Sequence, residues 1–278
     1  MSKPSKNGFN LEMKDNNHVI NSLWIGRHYS SIELLTLHSF IGQGHRFKLW
    51  VYESPLTNLP AEIEICDARE ILPASRIFSY KNKNEFGHGQ GSVSGFSDLF
   101  RYKLLYEKGG WWVDMDVCCI QPLTVDQPWF FREHHELKVV GNVMKCPIQS
   151  GLMKYCFDRT SAEVDDENTD WHKPIQILND GIEKFALDEF IVRGVSNRDW
   201  WSEVAVLFKK IKPLPVEWMF LHLMNEELRA RGIDKEDIKI RSVIGDLLTA
   251  YGIVEEEKNG IKILLNTLKH SRFGVALK

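Results

Sequence analysis

The stretch GFSDLFRYKLLYEKGGWWVDMDVCCIQPL, residues 95–123, decides the fold. Apolar side chains recur along its first half at Phe96, Leu99, Phe100 and Leu104. This i, i+3, i+4, i+8 spacing forms one apolar stripe on a helix, which the glycine pair at 109–110 ends. Apolar and acidic side chains then alternate over residues 111–117, a period of two that predicts a strand. The stretch therefore predicts a helix that leads directly into a strand.

Two charged residues of the predicted helix share one face. Asp98 and Arg101 are three positions apart, so their side chains are neighbours away from the apolar stripe. The plainest interpretation is a surface ion pair that contributes about 0.5 kcal/mol or less. Taken alone, the pair indicates nothing more.

The predicted strand carries two carboxylates on one face. Asp114 and Asp116 are two positions apart, which places them about 7 Å from each other along a strand. Carboxylates that close repel unless a cation lies beside them, and a divalent ion with oxygen ligands is one such cation. The alternative is a pair of solvated aspartates on an edge strand. Apolar flanks on both sides favour a buried strand, where unpaired carboxylates are costly.

Outward from this block, the first half of the chain alternates strand and helix patterns. We predict strands at 18–25, 47–52 and 62–66 and a helix at 31–41. This alternation is typical of an α/β protein with a mostly parallel sheet and flanking helices. Ligands of such sheets lie beyond the carboxyl ends of the strands. A further helix is predicted at 221–231.

Composition excludes several classes of protein. The 278 residues contain 35 Lys and Arg against 38 Asp and Glu, a net charge of −3, so there is no general basic surface for nucleic acid. We find neither an apolar run long enough to predict a membrane span nor a secretory signal, and we predict a cytoplasmic protein. The five cysteines lack CxxC spacing and are interpreted as buried thiols.

Other motifs for metal or phosphate are incomplete. The aspartate pair lacks the glycine and glutamate of an EF-hand loop, and the sequence contains no HExxH. His134 and His135 are adjacent, cannot share one helix face, and are interpreted as ordinary polar residues. The glycine cluster at 87–91 completes no common phosphate-loop pattern, so we predict a loop there.

In order, SDxxRYxxLYxxGG at 97–110 and DxD at 114–116 resemble the sugar-binding region of the DXD glycosyltransferases. That family includes yeast initiating α-1,6-mannosyltransferases, α-1,4-galactosyltransferases and bacterial capsule or lipopolysaccharide enzymes, and the large clostridial glucosylating toxins share the segment. The ordered block is specific, whereas an aspartate-x-aspartate alone is not. LWIG at 23–26, GNV at 141–143 and HLMNE at 222–226, where bacterial members have HLWNE, extend the resemblance.

The resemblance implies a GT-A fold, which is Rossmann-like and α/β, and transfer of a sugar from a nucleotide donor. The implied catalytic residues are Asp98, Arg101 and Asp116. The implied ligands of Mn²⁺ or Mg²⁺ are Asp114, Asp116 and His222. The implied donor-binding residues are Trp24, Asp98, Arg101, Tyr102, Asp114, Asn142 and Asn225.

Within this set, the resemblance implies distinct roles for the four central residues. Asp116 would bind the metal directly, while Asp114 would hold the ribose or a metal-bound water. Asp98 and Arg101 would hydrogen-bond the hydroxyl groups of the donor sugar.

Three outlying residues keep alternative interpretations. Trp24 either stacks on the nucleotide base or only fills the core. His222 is either a further metal or diphosphate ligand or a packed helix histidine. Asn142 would contact the sugar, and Met224 stands where the bacterial members have tryptophan, so no stacking role is assigned there.

The resulting hypothesis is a metal-dependent glycosyltransferase that moves a hexose from a nucleotide sugar, with a UDP-hexose favoured. The acceptor would be a saccharide or a lipid-linked acceptor of surface polysaccharide biosynthesis, and the family is expected to retain anomeric configuration. Two alternatives remain: a toxin-like enzyme that modifies protein, and a non-enzymatic carbohydrate-binding protein. The residues identify no nucleophile.

The two ends of the chain carry separate expectations. We predict a flexible leader at 1–17 and a single catalytic domain at 18–278, with a donor-binding half at about 18–125 and an acceptor-side half at about 126–278. Residues 261–278 combine basic and apolar side chains without an acid. They predict either a helix packed on the catalytic domain or a peripheral contact with the inner membrane.

Overall fold

The computed structural model describes residues 19–54 and 59–254. The predicted leader at 1–17 and the basic tail at 261–278 lie outside the described residues. None of the helices within the described ranges is long and apolar enough to cross a membrane.

A seven-stranded sheet forms the centre of the fold. In chain order its strands are β1 (Val19–Trp24), β2 (Arg46–Val51), β3 (Ile63–Asp67), β4 (Gly110–Val113), β6 (Phe130–His134), β7 (Lys138–Cys146) and β8 (Ile191–Val192). A second sheet pairs β5 (Val117–Cys119) with β9 (Phe220–His222) in antiparallel fashion.

The large sheet has the order β3-β2-β1-β4-β7-β6-β8. The neighbours β3-β2, β2-β1, β1-β4 and β6-β8 are parallel, whereas β7 is antiparallel to both β4 and β6. The predicted α/β class with a mostly parallel sheet is therefore confirmed.

Helices cover both faces of this sheet. They are α1 (Ser31–Gly42), α2 (Ser94–Lys108), α3 (Gly151–Glu163), α4 (Lys173–Lys184), α5 (Trp201–Leu207), α6 (Asn225–Ala230) and α7 (Val243–Ala250). Side chains of α2, α3 and α4 pack on one face together with Trp112, while α1 and the small sheet pack on the other together with Trp111. Adjacent residues of β4 thus point into opposite cores, as the two-residue period of a strand requires.

The central block folds as a helix and a strand, but the strand is shorter than expected. Helix α2 ends at the glycine pair, and Gly109 has a φ of 64°, a left-handed conformation that glycine adopts without steric cost. The prediction of one strand over 111–117 is wrong. Strand β4 stops at Val113, a turn follows, and β5 joins the second sheet. Alternation of apolar and acidic residues continues through the turn, so the pattern alone does not reveal the break.

The predicted helix at 221–231 is also corrected. Its first part is strand β9, and only α6 is helical. Met224 lies between them with a φ of 57°, in the left-handed region that a non-glycine residue seldom occupies. The turn separates the buried strand from the helix, so His222 is a strand residue.

Candidate active site

A cleft of about 1140 Å³ opens beyond the carboxyl ends of β1 and β4. This is the edge at which ligands of open α/β sheets bind. Eight of the predicted site residues line the cleft, namely Trp24, Asp98, Arg101, Asp114, Asp116, Asn142, His222 and Asn225.

Arg101 is the centre of one half of the cleft. Its guanidinium is almost fully buried and pairs through Nη1 with Asp98 Oδ1 at 2.8 Å and through Nη2 with Asp114 Oδ1 at 2.7 Å. The sequence interpretation as an exposed pair is wrong, because helix α2 buries this face against β7. Burial raises the pKa of Asp98 to about 6, although Arg101 acts in the opposite direction.

Trp112 and Gly141 hold the guanidinium in place. The indole Nε1 of Trp112 donates to Asp114 Oδ1 at 2.7 Å, and the Arg101 guanidinium carbon lies 5.1 Å from the Trp112 ring centre. A Cβ built on Gly141 would collide with Arg101 Nη1. Strand β7 can therefore pass this close only with a glycine at that position.

Asp116 and His222 form the other half of the cleft. Asp116 Oδ2 accepts a hydrogen bond from the backbone N–H of Asn225 at 2.7 Å and lies 3.4 Å from His222 Nε2. On its other side, His222 Nδ1 lies 2.8 Å from Asp199 Oδ1. Burial disfavours the imidazolium, but the two carboxylates outweigh it and raise the pKa of His222 to about 10.

Asp199 has further partners that fix its position. Arg132, on β6, donates from Nη1 to Oδ2 at 2.8 Å and from Nη2 to Oδ1 at 2.7 Å, a bidentate pair. His134 Nε2 lies 3.5 Å from Oδ2. His134, interpreted from the sequence as an ordinary polar residue, lines the cleft.

Trp24, Asn142 and Tyr102, the other predicted donor-binding residues, differ in whether they line the cleft. Trp24 lies at its edge, donating from Nε1 to the His28 carbonyl at 3.1 Å. Asn142 is buried, and its side-chain Nδ2 has no hydrogen-bond partner among the residues that the structure describes. Tyr102 is corrected: it lies wholly in the core, and its hydroxyl donates to the Pro174 carbonyl at 2.9 Å, so it does not reach the cleft.

Glutamate and lysine residues from distant elements support Asn225. Its Nδ2 donates to Glu33 Oε1 at 2.9 Å, and Lys235 Nζ lies 2.6 Å from the same oxygen. Glu33 caps helix α1 through the backbone N–H of Ser30 at 2.7 Å. The start of α1 is thereby connected to the loop that places Asn225 against Asp116.

The predicted glycine-rich loop at 87–91 forms part of the cleft wall. Gly89 donates its backbone N–H to Glu226 Oε1 at 3.1 Å, and the Gln90 carbonyl accepts from Arg229 Nη1 at 2.9 Å. The prediction of a loop at this position is confirmed.

The side-chain atoms Asp116 Oδ2 and His222 Nε2 fit two ligands of a divalent cation that also binds a substrate. Two neighbouring ligands of an octahedral ion lie about 3 Å apart, close to the 3.4 Å between Asp116 Oδ2 and His222 Nε2. Within residues 19–54 and 59–254, no cluster of three or more His, Cys, Asp or Glu is arranged to hold a metal alone. Asp114 faces Arg101 instead, so substrate phosphates and water would complete the coordination, as is usual for Mg²⁺.

Comparison with known proteins matches the central block of the sequence to one family model. Residues 64–135 match a family model described as a glycosyltransferase sugar-binding region containing the DXD motif. The matched segment contains Asp98, Arg101, Asp114 and Asp116. The match confirms the resemblance for this segment and supports a glycosyltransferase activity. No curated protein matches the chain.

Two solved structures show a distant likeness to this chain. One is the "PaToxG Glycosyltransferase", 11% identical, with a TM-score of 0.44 over 88% of this chain and 91% of that chain. Another is a mutant transferase, 9% identical, with a TM-score of 0.42 over 64% of this chain and 88% of that chain.

Two site residues were missed by sequence analysis, namely Arg132 and Asp199. Arg132 stands in a strand that reads as apolar, and Asp199 lies in a short polar segment before α5. No local spacing relates either to His222. The one available signal was the position of Arg132 between buried phenylalanines and two histidines, where a charged residue needs a partner.

Proposed function

We propose that this protein is a metal-dependent transferase that moves a hexose from a nucleotide sugar, with a UDP-sugar favoured, to a saccharide or lipid-linked acceptor. The observation that carries the proposal is that one cleft joins two polar groups of different character. Arg101 links two carboxylates on one side, and Asp116 faces His222 on the other.

The Arg101 half suits the hydroxyl groups of a sugar. Asp98 and Asp114 present carboxylate oxygens that accept hydrogen bonds, and Arg101 fixes their positions. The free Nδ2 of Asn142 adds a donor at the same face of the cleft. Trp24 supplies a flat ring at the end of β1 for the base.

The Asp116 half suits the diphosphate. Asp116 and His222 would hold Mn²⁺ or Mg²⁺, a choice that imidazole shifts towards Mn²⁺. A cation bound there would supply Lewis-acid stabilisation of the negative charge that develops on the leaving diphosphate. The side chains themselves hold and orient the sugar while its anomeric carbon gains oxocarbenium character.

The role in surface polysaccharide biosynthesis, retention of configuration, a cytoplasmic location and peripheral membrane contact belong to this proposal as well. The resemblance of the central block to bacterial capsule and lipopolysaccharide enzymes supports the pathway, the location and retention, and the basic and apolar side chains of residues 261–278 support the membrane contact. A protein acceptor is the second outcome that the test below distinguishes.

The test measures release and transfer of hexose from a panel of nucleotide sugars with Mn²⁺. Asp116→Asn is expected to lower the rate about 100-fold or more, because it removes one metal-binding carboxylate. Asp180→Asn, which removes an exposed carboxylate paired with Arg159, is the matched control and should leave the rate unchanged. Full activity of Asp116→Asn, or of the wild type in excess chelator, would overturn the proposal.

Labelled donor then identifies the acceptor class. Label in glycan or lipid fractions supports the proposed acceptor, whereas label confined to protein replaces it with the toxin-like alternative. Binding of sugar without nucleotide or metal, and without turnover, would favour the carbohydrate-binding alternative.

A further inference from the structure

One short segment holds His222 through both its backbone and its ring. Asn197 Oδ1 accepts from the His222 backbone N–H at 2.8 Å, and Asn197 Nδ2 donates to the His222 carbonyl at 3.0 Å. Two residues on, Asp199 Oδ1 lies 2.8 Å from the ring Nδ1. The backbone position and the ring rotation of His222 are therefore both determined by this segment.

Arg132 in turn holds the segment. Its Nε donates to Ser196 Oγ at 2.5 Å, its Nη2 donates to the Asn197 carbonyl at 2.8 Å, and both terminal nitrogens bind the Asp199 carboxylate. Arg132 is only 2% exposed. We call Arg132, Ser196, Asn197 and Asp199 the His222 clamp.

The clamp determines which nitrogen of His222 faces the cleft. Because Nδ1 is engaged by Asp199, Nε2 is the atom directed at Asp116 Oδ2. A carboxylate on the rear nitrogen of a metal-binding histidine fixes both ring orientation and the nitrogen available to the metal.

The orientation of the Asp199 carboxylate is also fixed by its neighbours. Oδ1 accepts from both Arg132 and His222, while His134 Nε2 lies 3.5 Å from Oδ2. The Nδ1 of His134 accepts two backbone N–H groups, from Glu136 and Leu137, each at 3.1 Å. His134 Nε2 is therefore the nitrogen that carries the ring proton, and it is directed towards Asp199. If Asp199 only neutralised Arg132, its contacts with His222 and His134 would not be needed.

We propose that Asp199 is a positioning residue for the metal-dependent reaction: it orients His222 so that Nε2 and Asp116 act as two neighbouring ligands of one divalent cation. This inference rests on the proposed function, since it assigns Asp199 a role towards the same cation. Asp199 does not touch the substrate or the cation itself, and Arg132 and Asn197 support its action.

The test measures affinity for Mn²⁺ in the presence of UDP, by electron paramagnetic resonance of unbound Mn²⁺. Asp199→Asn is expected to weaken binding about 10- to 100-fold, the usual effect of losing such a supporting carboxylate. Asp180→Asn is the matched control. It removes a carboxylate that is also paired with an arginine, Arg159, but that does not line the cleft, and it should leave the affinity within about twofold.

A double-mutant cycle separates positioning from a merely structural role. If Asp199 acts through His222, Asp199→Asn should have little further effect on Mn²⁺ affinity in a His222→Ala background. Pulsed spectra of bound Mn²⁺ should show coupling to the imidazole nitrogen in the wild type, and this coupling should be lost or reduced in Asp199→Asn. Should Asp199→Asn not fold, Asp199→Glu keeps the charge beside Arg132 while moving the oxygen off Nδ1, and the same losses are expected.

Three results would overturn the inference. They are an unchanged affinity in the Asp199 variant, an equal loss in the presence and absence of His222, or an unchanged nitrogen coupling. A wild-type protein that binds no Mn²⁺ with UDP would overturn the proposed function as well, so the two failures are distinguishable.

Discussion

The Arg101 half and the His222 half of the cleft are built in opposite ways. Asp98, Arg101 and Asp114 come from one helix and the end of the strand that follows it. The His222 half joins Asp116 to β6, the segment before α5, and β9. Adjacent stretches of sequence specify the first half, whereas only tertiary packing assembles the second.

The two halves also differ in the kind of cation that they enclose. Arg101 is always charged, so Asp98 and Asp114 always have a cation beside them. An imidazole can lose its proton and offer that nitrogen to a metal ion. The Arg101 half is therefore suited to a fixed framework for recognition, and the His222 half to an exchangeable cation. Each prediction below tests the framework role of the Arg101 half.

Removal of Arg101 should have the largest effect on stability. Arg101→Met leaves the partly buried carboxylates of Asp98 and Asp114 without their cation, which is expected to lower the free energy of unfolding by up to about 3–5 kcal/mol. Urea denaturation measures this directly. Arg159→Met is the control, because Arg159 makes exposed ion pairs worth about 1 kcal/mol or less. Equal losses in the two variants would contradict the contrast between the halves.

Protonation of Asp98 should give the next largest effect. Its pKa of about 6 in the folded state lies above its ordinary value, so the folded state binds more protons between about pH 4 and 6. The Asp98 contribution to the free energy of unfolding should fall as the pH rises through this window, by up to about 3 kcal/mol. Asp98→Asn removes that dependence. Unfolding curves at several pH values check it, and a constant difference between wild type and variant would refute it.

A methyl group at Gly141 should have a smaller effect. Gly141→Ala places Cβ against Arg101 Nη1, and such overpacking is expected to cost about 1–3 kcal/mol and to weaken binding of the donor sugar. In an Arg101→Met background, the shorter side chain should relieve most of the cost. A penalty that persists undiminished there would show that the collision is not with the guanidinium.

Sequence predicted the fold class, the helix of the central block and the cleft position of most site residues. These features depend on local spacing, as in the helical stripe from Phe96 to Leu104. The continuation of the strand through Asp114 was wrong, because alternation does not reveal where a strand changes partners. The prediction that Tyr102 binds the donor was wrong for a similar reason: the motif does not show whether this side of helix α2 packs in the core or lines the cleft. Arg132 and Asp199 were missed because they are distant in sequence from each other and from His222. The sequence indicates that Arg132 needs a partner but not which residue it is.

The change of sheet between Asp114 and Asp116 has a consequence for how opening of the cleft can be observed. The amide of Asp114 is bonded to Asn142 O in the large sheet at 2.9 Å, and the amide of Leu223 is bonded to Asp116 O in the small sheet at 2.9 Å. Hydrogen–deuterium exchange at these two amides therefore reports local opening of the two sheets separately. If the amides of Asp114 and Leu223 exchange at different rates, the large and the small sheet open independently, although Asp114 and Asp116 are neighbours in sequence.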